Sequence, residues 1–154
     1  IPHDNSNIVS SWDVLNGQEV TGDCVVIGGG LVGAETAEYL ANKGHQVTIV
    51  EMMDKIAAGE STTVLPLMMK DFADHNVKQL VNTKVDHIEN NIVYTENEQI
   101  KADTIINALG SKKNIFDDSS ITIPHVCVGD CSGERTADIA SAIRTAYHAA
   151  NAID

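Results

Sequence analysis

The amino-acid sequence predicts an α/β fold of three layers built on a parallel sheet, and three observations lead to it. A continuous apolar run at 24–28 breaks into a glycine-rich turn and continues as a helical pattern. A second β-rich run follows at 45–50, and a third buried run lies at 102–110. Continuous apolar strands linked through a helix are typical of a parallel sheet that is covered on both faces.

The glycine-rich turn is the feature that points to a ligand. Gly28 permits a tight strand-to-helix turn, Gly30 lets the backbone approach phosphates, and Gly33 allows the helix to pack closely on the strand. The free amides and the positive dipole end of the following helix then face the negative charges. The pattern predicts a Rossmann-like unit that binds a dinucleotide pyrophosphate.

The surroundings of the turn agree with this interpretation. A helical pattern over 31–43 ends at Gly44, and the second strand ends in an acid, Glu51, which lies 21 residues beyond Gly30. That offset suits a carboxylate that binds the adenosine ribose diol. An extra 2′-phosphate would face Glu51 as a like charge, no arginine occurs before Arg135, and Lys55 is the only nearby base that the sequence suggests. We therefore expect NADH rather than NADPH.

The remainder of the unit is predicted to contain a loop, a helix and a third parallel strand, followed by shorter strand patterns. Residues 52–60 predict a flexible loop, Pro66 begins a helix with an apolar Met and Phe stripe, and 77–81 predicts the third parallel strand. Strand patterns at 85–88 and 92–95 flank a tight turn, so the second crossover is predicted to be a β-meander. The run at 102–110 should return beside the first strand.

Two flanks surround this unit. Residues 1–21 contain a short helix candidate at Ile8–Asn16, and the C-terminal flank contains a predicted strand at Pro124–Asp130 and a helix at Thr136–Ile153. An acid such as Asp130, at the end of a strand and before a helix, can accept hydrogen bonds from a polyol.

Composition excludes several classes of function. With 22 acids against 10 bases the net charge is −12, which argues against nucleic-acid binding. No apolar run approaches the roughly 18–20 residues that span a bilayer. The three cysteines form no CxxC pair, the six histidines share no metal-ligand spacing, and a reduced cytoplasmic compartment fits this usage best. No metal site is expected.

The motifs occur in an order that resembles one group of flavoproteins. They are GGGLVGAETAEYL at 28–40, VEMMDKIA at 50–57, INALG at 106–110 and VCVGDC at 126–131, the last followed by an alanine-rich helix. This order is similar to that of flavoproteins with two dinucleotide-binding domains, related to pyridine nucleotide-disulfide reductases. Within them the chain most resembles the NADH:flavin oxidoreductases of the 2-enoate reductase, 2,4-dienoyl-CoA reductase and trimethylamine dehydrogenase group, and matches only a C-terminal segment.

The resemblance implies a domain division and a set of cofactor-binding residues. It assigns 22–111 to an NAD(H)-binding domain and both flanks to an FAD-binding domain. The flank 1–21 would contribute a short helix, and the flank 112–154 would contribute a strand and a helix. Glu35 would lie near the nicotinamide, Asp130 would bind the FAD ribityl chain, and the helix start at Thr136 would face the flavin. The implied cofactor-binding residues are Gly28, Gly29, Gly30, Leu31, Val32, Gly33, Glu35, Glu51, Met52, Ala108, Leu109, Gly110, Gly129 and Asp130.

The function that the resemblance implies is electron entry into a larger enzyme. Hydride would pass from NADH to FAD and onward to an enoate-type substrate, with FMN on a barrel domain and an iron-sulfur cluster only in the full-length protein. The isolated segment is expected to be inactive, and homodimer contacts are a hypothesis for the flanks. Two alternatives stay open: the glycine turn binds FAD, or the domain senses NADH without turnover.

Overall fold

The computed structural model describes residues 1–110, 117–132 and 139–153. The chain forms two compact units, Ile1–Gly110 and Ser111–Asp154. The boundary predicted between 111 and 112 lies outside the described residues, so the domain division stays a prediction.

A five-stranded parallel sheet forms the centre of the first unit. Its strands, in spatial order, are β1 (Ile8–Ser10), β8 (Thr104–Asn107), β2 (Cys24–Ile27), β3 (Val47–Val50) and β4 (Lys78–Leu80). The central strand β2 pairs with β3 from Cys24↔Val47 and with β8 from Cys24↔Thr104. The predicted return of the last strand beside the first glycine-linked strand is therefore confirmed.

Side chains of the central strands alternate between two apolar layers. Cys24 and Val26 face the helices α1 (Ser11–Leu15), α2 (Leu31–Asn42) and α3 (Leu65–Asp74). Val25 and Ile27 face the opposite layer, which is the antiparallel meander. Because both faces are covered, the strands are apolar throughout, and the predicted α/β fold of three layers is confirmed.

The meander contains one strand more than the sequence predicts. It consists of β5 (Val85–Glu89), β6 (Ile92–Thr95) and β7 (Gln99–Lys101). Asn90 and Asn91 form the tight turn between β5 and β6 with φ of 52° and 60°. Asparagine tolerates this left-handed backbone, which suits the twist of a two-residue hairpin.

The N-terminal flank differs from its prediction. Ile8–Ser10 is a strand, and the helix is confined to Ser11–Leu15, with the Ser10 hydroxyl capping it at the Asp13 N–H. The strand pairs in parallel with β8, from Ile8↔Ile105. A three-residue edge strand depends on this distant partner, which a local helical pattern cannot reveal. The assignment of 1–21 to an FAD domain stays a prediction, although here these residues belong to the first unit.

The second unit contains a 3₁₀ turn at Gly129–Cys131 and the helix α4 (Ile139–Asn151). The prediction of a strand at Pro124–Asp130 is wrong, because no strand forms within the described residues 117–132. A strand needs a neighbouring strand to satisfy its backbone groups, and none is available to these residues in the part described. The helix start predicted at Thr136 lies outside the described residues.

No described helix is long and apolar enough to cross a bilayer.

Candidate dinucleotide-binding site

The carboxyl ends of β2, β3 and β8 open onto a cavity of about 440 Å³. In open parallel sheets this edge is where ligands bind. The cavity brings together seven of the residues that the sequence assigns to cofactor binding: Gly28, Gly30, Glu51, Met52, Ala108, Leu109 and Gly110.

The glycines at positions 28, 30 and 33 occupy two kinds of environment. A Cβ on Gly33 would lie 1.9 Å from the Gly28 carbonyl oxygen, and a Cβ on Gly28, whose φ is +102°, would lie 2.5 Å from the Ala108 carbonyl oxygen. These two positions exclude any side chain. A Cβ on Gly30, by contrast, would meet nothing within 4 Å. The crowding at Gly28 and Gly33 belongs to the fold, whereas the space at Gly30 is open to a ligand.

Helix α2 begins directly at this open space. Gly30 is its N-cap and offers no side-chain hydrogen bond, and the first helical bond runs from the Ala34 N–H to the Gly30 carbonyl at 2.9 Å. The amides of the first turn therefore have no partner within the helix. Together with the positive end of the helix dipole they suit an anion such as a pyrophosphate.

Glu51 lies at the carboxyl end of β3 and holds two loops together. One carboxylate oxygen accepts a hydrogen bond from the Gly29 N–H at 2.6 Å, and the other accepts one from the Met53 N–H at 2.7 Å. The glycine turn is thereby fixed to the segment after β3. Each carboxylate oxygen can accept a further hydrogen bond, so these two contacts leave capacity for ligand hydroxyls.

The segment at 52–60, predicted as a flexible loop, packs on the same turn. The Ala57 N–H donates to the Gly29 carbonyl at 2.7 Å, and both Ile56 and Ala57 are buried. A Cβ on Gly29 would lie 2.5 Å from the terminal methyl of Ile56, which would have to shift. The segment 52–60 therefore packs directly against Gly29, a contact that the sequence does not reveal.

The other assigned residues lie elsewhere. Leu31, Val32 and Glu35 are on the first turns of α2, outside the lining of this cavity, and Glu35 is exposed. Gly129 and Asp130 belong to the second unit, where the Gly129 N–H donates to the Thr145 hydroxyl at 2.8 Å.

Sequence reasoning missed half of the lining. The missed residues are Ile1, Ile27, Val50, Met53, Thr83, Lys84 and Val85. Residues 83–85 follow β4, so the rule that parallel strands share one carboxyl edge could have found them. The base at the cavity is Lys84, and the prediction that Lys55 is the only nearby base is wrong.

The described residues contain no group of three metal-binding side chains. The three cysteines are free, with Cys24 buried and the other two half-buried.

Comparison with known proteins identifies the family. The family model described as pyridine nucleotide-disulphide oxidoreductase matches residues 2–125. The chain belongs to the pyridine nucleotide-disulphide oxidoreductase family. Its sequence is related to pyridine-nucleotide-dependent flavoprotein oxidoreductases and to enoate-type reductases.

Two curated relatives align with nearly the whole chain. Bilirubin reductase of Mediterraneibacter gnavus is 44% identical over 99% of this chain and 24% of its own length. Cinnamate reductase of Clostridium sporogenes is 31% identical over 95% of this chain and 23% of its own length. The chain thus spans about a quarter of the length of these relatives, and the resemblance seen in the motifs is confirmed.

Solved structures agree with the fold. A 2-naphthoyl-CoA reductase complex superposes with a TM-score of 0.75 at 25% identity, over 97% of this chain and 24% of that chain. The flavoprotein disulfide reductase RclA of Escherichia coli superposes with a TM-score of 0.72 at 22% identity, over 99% of this chain and 41% of that chain.

Proposed function

We propose that the cavity binds NADH and that this segment is the electron-entry port of a larger flavoprotein reductase. The observation that carries the proposal is the open space at Gly30, which lies at the start of α2. Gly28 and Gly33, on either side of this space, lie so close to neighbouring backbone atoms that neither position can hold a side chain.

The residues present fit the groups of a dinucleotide. The first-turn amides of α2, which follow Gly30 at the edge of the cavity, would hold the pyrophosphate, and Glu51 in the lining would accept hydrogen bonds from the adenosine ribose. Bound NADH supplies a hydride. The contribution of this chain is to bind and orient the cofactor, for which none of its own side chains needs to transfer a proton.

The preference for NADH follows from the charge at the ribose position. The Glu51 carboxylate lines the cavity, and a 2′-phosphate placed beside it would be repelled. Lys84 lines the same cavity and reduces this repulsion in part. We therefore propose that the native chain prefers NADH to NADPH, and that replacing Lys84 with a neutral residue increases this preference.

The proposal for the electron acceptor is based on the relatives. Bilirubin reductase, cinnamate reductase and 2-naphthoyl-CoA reductase are all named as reductases, and each is about four times as long as this chain. We propose that hydride passes to an FAD bound partly by Gly129 and Asp130, and onward to an enoate-type substrate. FMN and an iron-sulfur cluster would be carried by parts of the longer protein outside this segment.

The open position at Gly30 gives the sharpest test. Gly30→Ala needs no change in the fold, because its Cβ meets nothing within 4 Å, but it occupies the space proposed for the pyrophosphate. We expect the Kd for NADH to rise about tenfold or more, with the unfolding temperature lowered by only the few degrees that alanine costs at an N-cap. Fluorescence titration and thermal unfolding measure the two quantities.

The matched control is Gly33→Ala, whose Cβ would lie 1.9 Å from the Gly28 carbonyl oxygen. This variant should lose stability and NADH affinity together.

Titration of the native chain and of Lys84→Gln with NADPH and FAD completes the design. NADPH binding tighter than NADH binding would contradict the assignment, and FAD binding that Gly30→Ala abolishes would favour an FAD site. Turnover with an added flavin distinguishes an enzyme segment from a sensor, which would bind NADH without passing electrons on.

A further inference from the structure

The first seven residues connect the two sheets of the first unit. His3 forms a parallel β-bridge with Ile88 of β5. The Ile88 N–H donates to the Pro2 carbonyl at 3.0 Å, and the Asp4 N–H donates to the Ile88 carbonyl at 3.4 Å. Residues 1–4 therefore lie along the meander as a further strand-like segment, and the chain then enters β1 of the parallel sheet.

Asp4 is the centre of the polar contacts in this segment. One carboxylate oxygen accepts a hydrogen bond from the Asn90 N–H at 2.9 Å, and the other accepts from the Ser6 N–H at 2.9 Å and from the Ser6 hydroxyl. The Ser6 hydroxyl, and then the Asn90 N–H, lower the pKa of Asp4 below its usual value. The carboxylate thus fixes the position of both its own segment and the β5–β6 turn.

The neighbouring side chains continue the connection. The Ser6 hydroxyl oxygen accepts from the Asn91 N–H at 3.0 Å, and the Asn91 side-chain carbonyl accepts from the Asn7 N–H at 2.6 Å. The Asn7 side-chain amide then donates to the Asp103 carbonyl at 2.9 Å, immediately before β8. One chain of hydrogen bonds therefore runs from the meander turn to the parallel sheet.

The same segment reaches the candidate site. Ile1 lines the cavity together with Thr83, Lys84 and Val85, which lead into β5. Because the bridge between His3 and Ile88 is parallel, the residues that precede His3 and those that precede Ile88 run in the same direction, and both segments lead to the cavity. The cavity wall at Ile1 and the beginning of β5 is held from the far end of β5, where Asp4 binds Asn90.

We propose that residues 1–7 form a strap that holds the meander on the parallel sheet and completes the wall of the cavity, with Asp4 as a positioning residue for the dinucleotide. The part of this inference that concerns the dinucleotide rests on the proposed function. Without the strap, Ile1 and the segment 83–85 must be ordered when the ligand binds, and this ordering lowers the apparent affinity.

Asp4→Ala tests the proposal in the full chain. If the competent wall is populated in about one molecule in ten, the Kd for NADH rises about tenfold. Asp4→Asn keeps one acceptor oxygen and should raise the Kd only about threefold. Glu89→Gln removes the same charge from the exposed end of β5 and should leave the Kd unchanged.

Two further measurements separate positioning from general destabilisation. Phe72→Leu loosens the helical layer on the other face of the sheet, so it should lower the unfolding temperature without changing the Kd. Hydrogen exchange should show faster exchange at the amides of Ile88, Asn90 and Asn91 in Asp4→Ala, since all three donate to the strap.

The outcomes are distinct. Unchanged exchange at these three amides overturns the strap. Faster exchange with an unchanged Kd overturns the positioning role and leaves a purely structural one. A native chain that does not bind NADH at all overturns the proposed function, and in that case the exchange rates alone decide whether the strap exists.

Discussion

The two units of the chain differ in what their helices bury. In the first unit α2 buries Ala34, Ala37, Leu40 and Ala41 against the parallel sheet. In the second unit the only buried residue described in α4 is Ser141. Its large apolar side chains at 139, 143 and 147 are 81%, 64% and 65% exposed. These residues are spaced four apart and so share one face of the helix.

This difference shows that an amphipathic pattern specifies a helix but not the surface that covers it. All the buried hydrophobic residues described in the chain lie between Val14 and Ile106. The first unit therefore has a core of its own, whereas the described part of the second unit has none. The stability of the chain should depend on the first unit alone.

Removal of a core side chain should give the largest effect. Phe72 on α3 is fully buried in the helical layer, and Phe72→Ala should cost about 3–5 kcal/mol of unfolding free energy. Tyr147→Ala on α4 removes a similar volume from an exposed site and should cost less than about 0.5 kcal/mol. Urea unfolding followed by circular dichroism measures both, and equal costs would show that the second unit has a core after all.

Thiol reactivity offers a second comparison of the units. Burial raises the pKa of Cys24 to about 11, and this thiol lies in the core of the first unit, whereas Cys127 and Cys131 in the second are half-buried. A thiol reagent should modify Cys127 and Cys131 before Cys24 in the native chain, and Cys24 only on unfolding. Cys24→Ala should remove the slow phase alone. Three fast thiols would mean that the first unit opens as readily as the second.

The smallest effect concerns Glu38 on α2. Burial, followed by the nearby Asp71 on α3, raises the pKa of Glu38 above its usual value. The native state therefore holds this proton more tightly than the unfolded state does, and stability falls as the pH rises from the unfolded pKa through the native one. Above that range the penalty is complete.

At neutral pH, Glu38→Gln should stabilise the chain by about 0.5 kcal/mol and flatten the pH dependence just above the usual glutamate pKa. Glu96→Gln, at an exposed turn between β6 and β7, removes the same charge as a control. Unfolding temperatures measured across that pH range test this prediction. Identical pH profiles for the two variants would show that the contact between Glu38 and Asp71 does not affect stability.

Much of the fold could be predicted because its signals are local. The glycine turn, the end of α2 at Gly44 and the meander turn at Asn90 depend on backbone conformations that few residues adopt, so the residue types reveal them. The strand β1 could not be predicted in this way. It exists because Ile8 pairs with Ile105, and three residues of edge strand carry too little pattern of their own.

The candidate site divides in the same manner. Gly30 and Glu51 were identified by their spacing in the sequence, and the structure places both at one cavity. Lys84 and Ile1 reach that cavity through the packing of β4, β5 and the N-terminal segment. Their spacing from the glycine turn carries no signal, because loops of variable length intervene.

Short stretches of sequence were enough to predict that a glycine turn joins a buried strand to a helix, and that an acid follows the next strand. Both are consequences of backbone sterics and apolar periodicity within short stretches. The three-dimensional fold was needed to show which distant segments complete the cavity, and that residues 124–130 do not form a strand. Those outcomes depend on hydrogen-bonding partners, which a strand must find elsewhere in the fold.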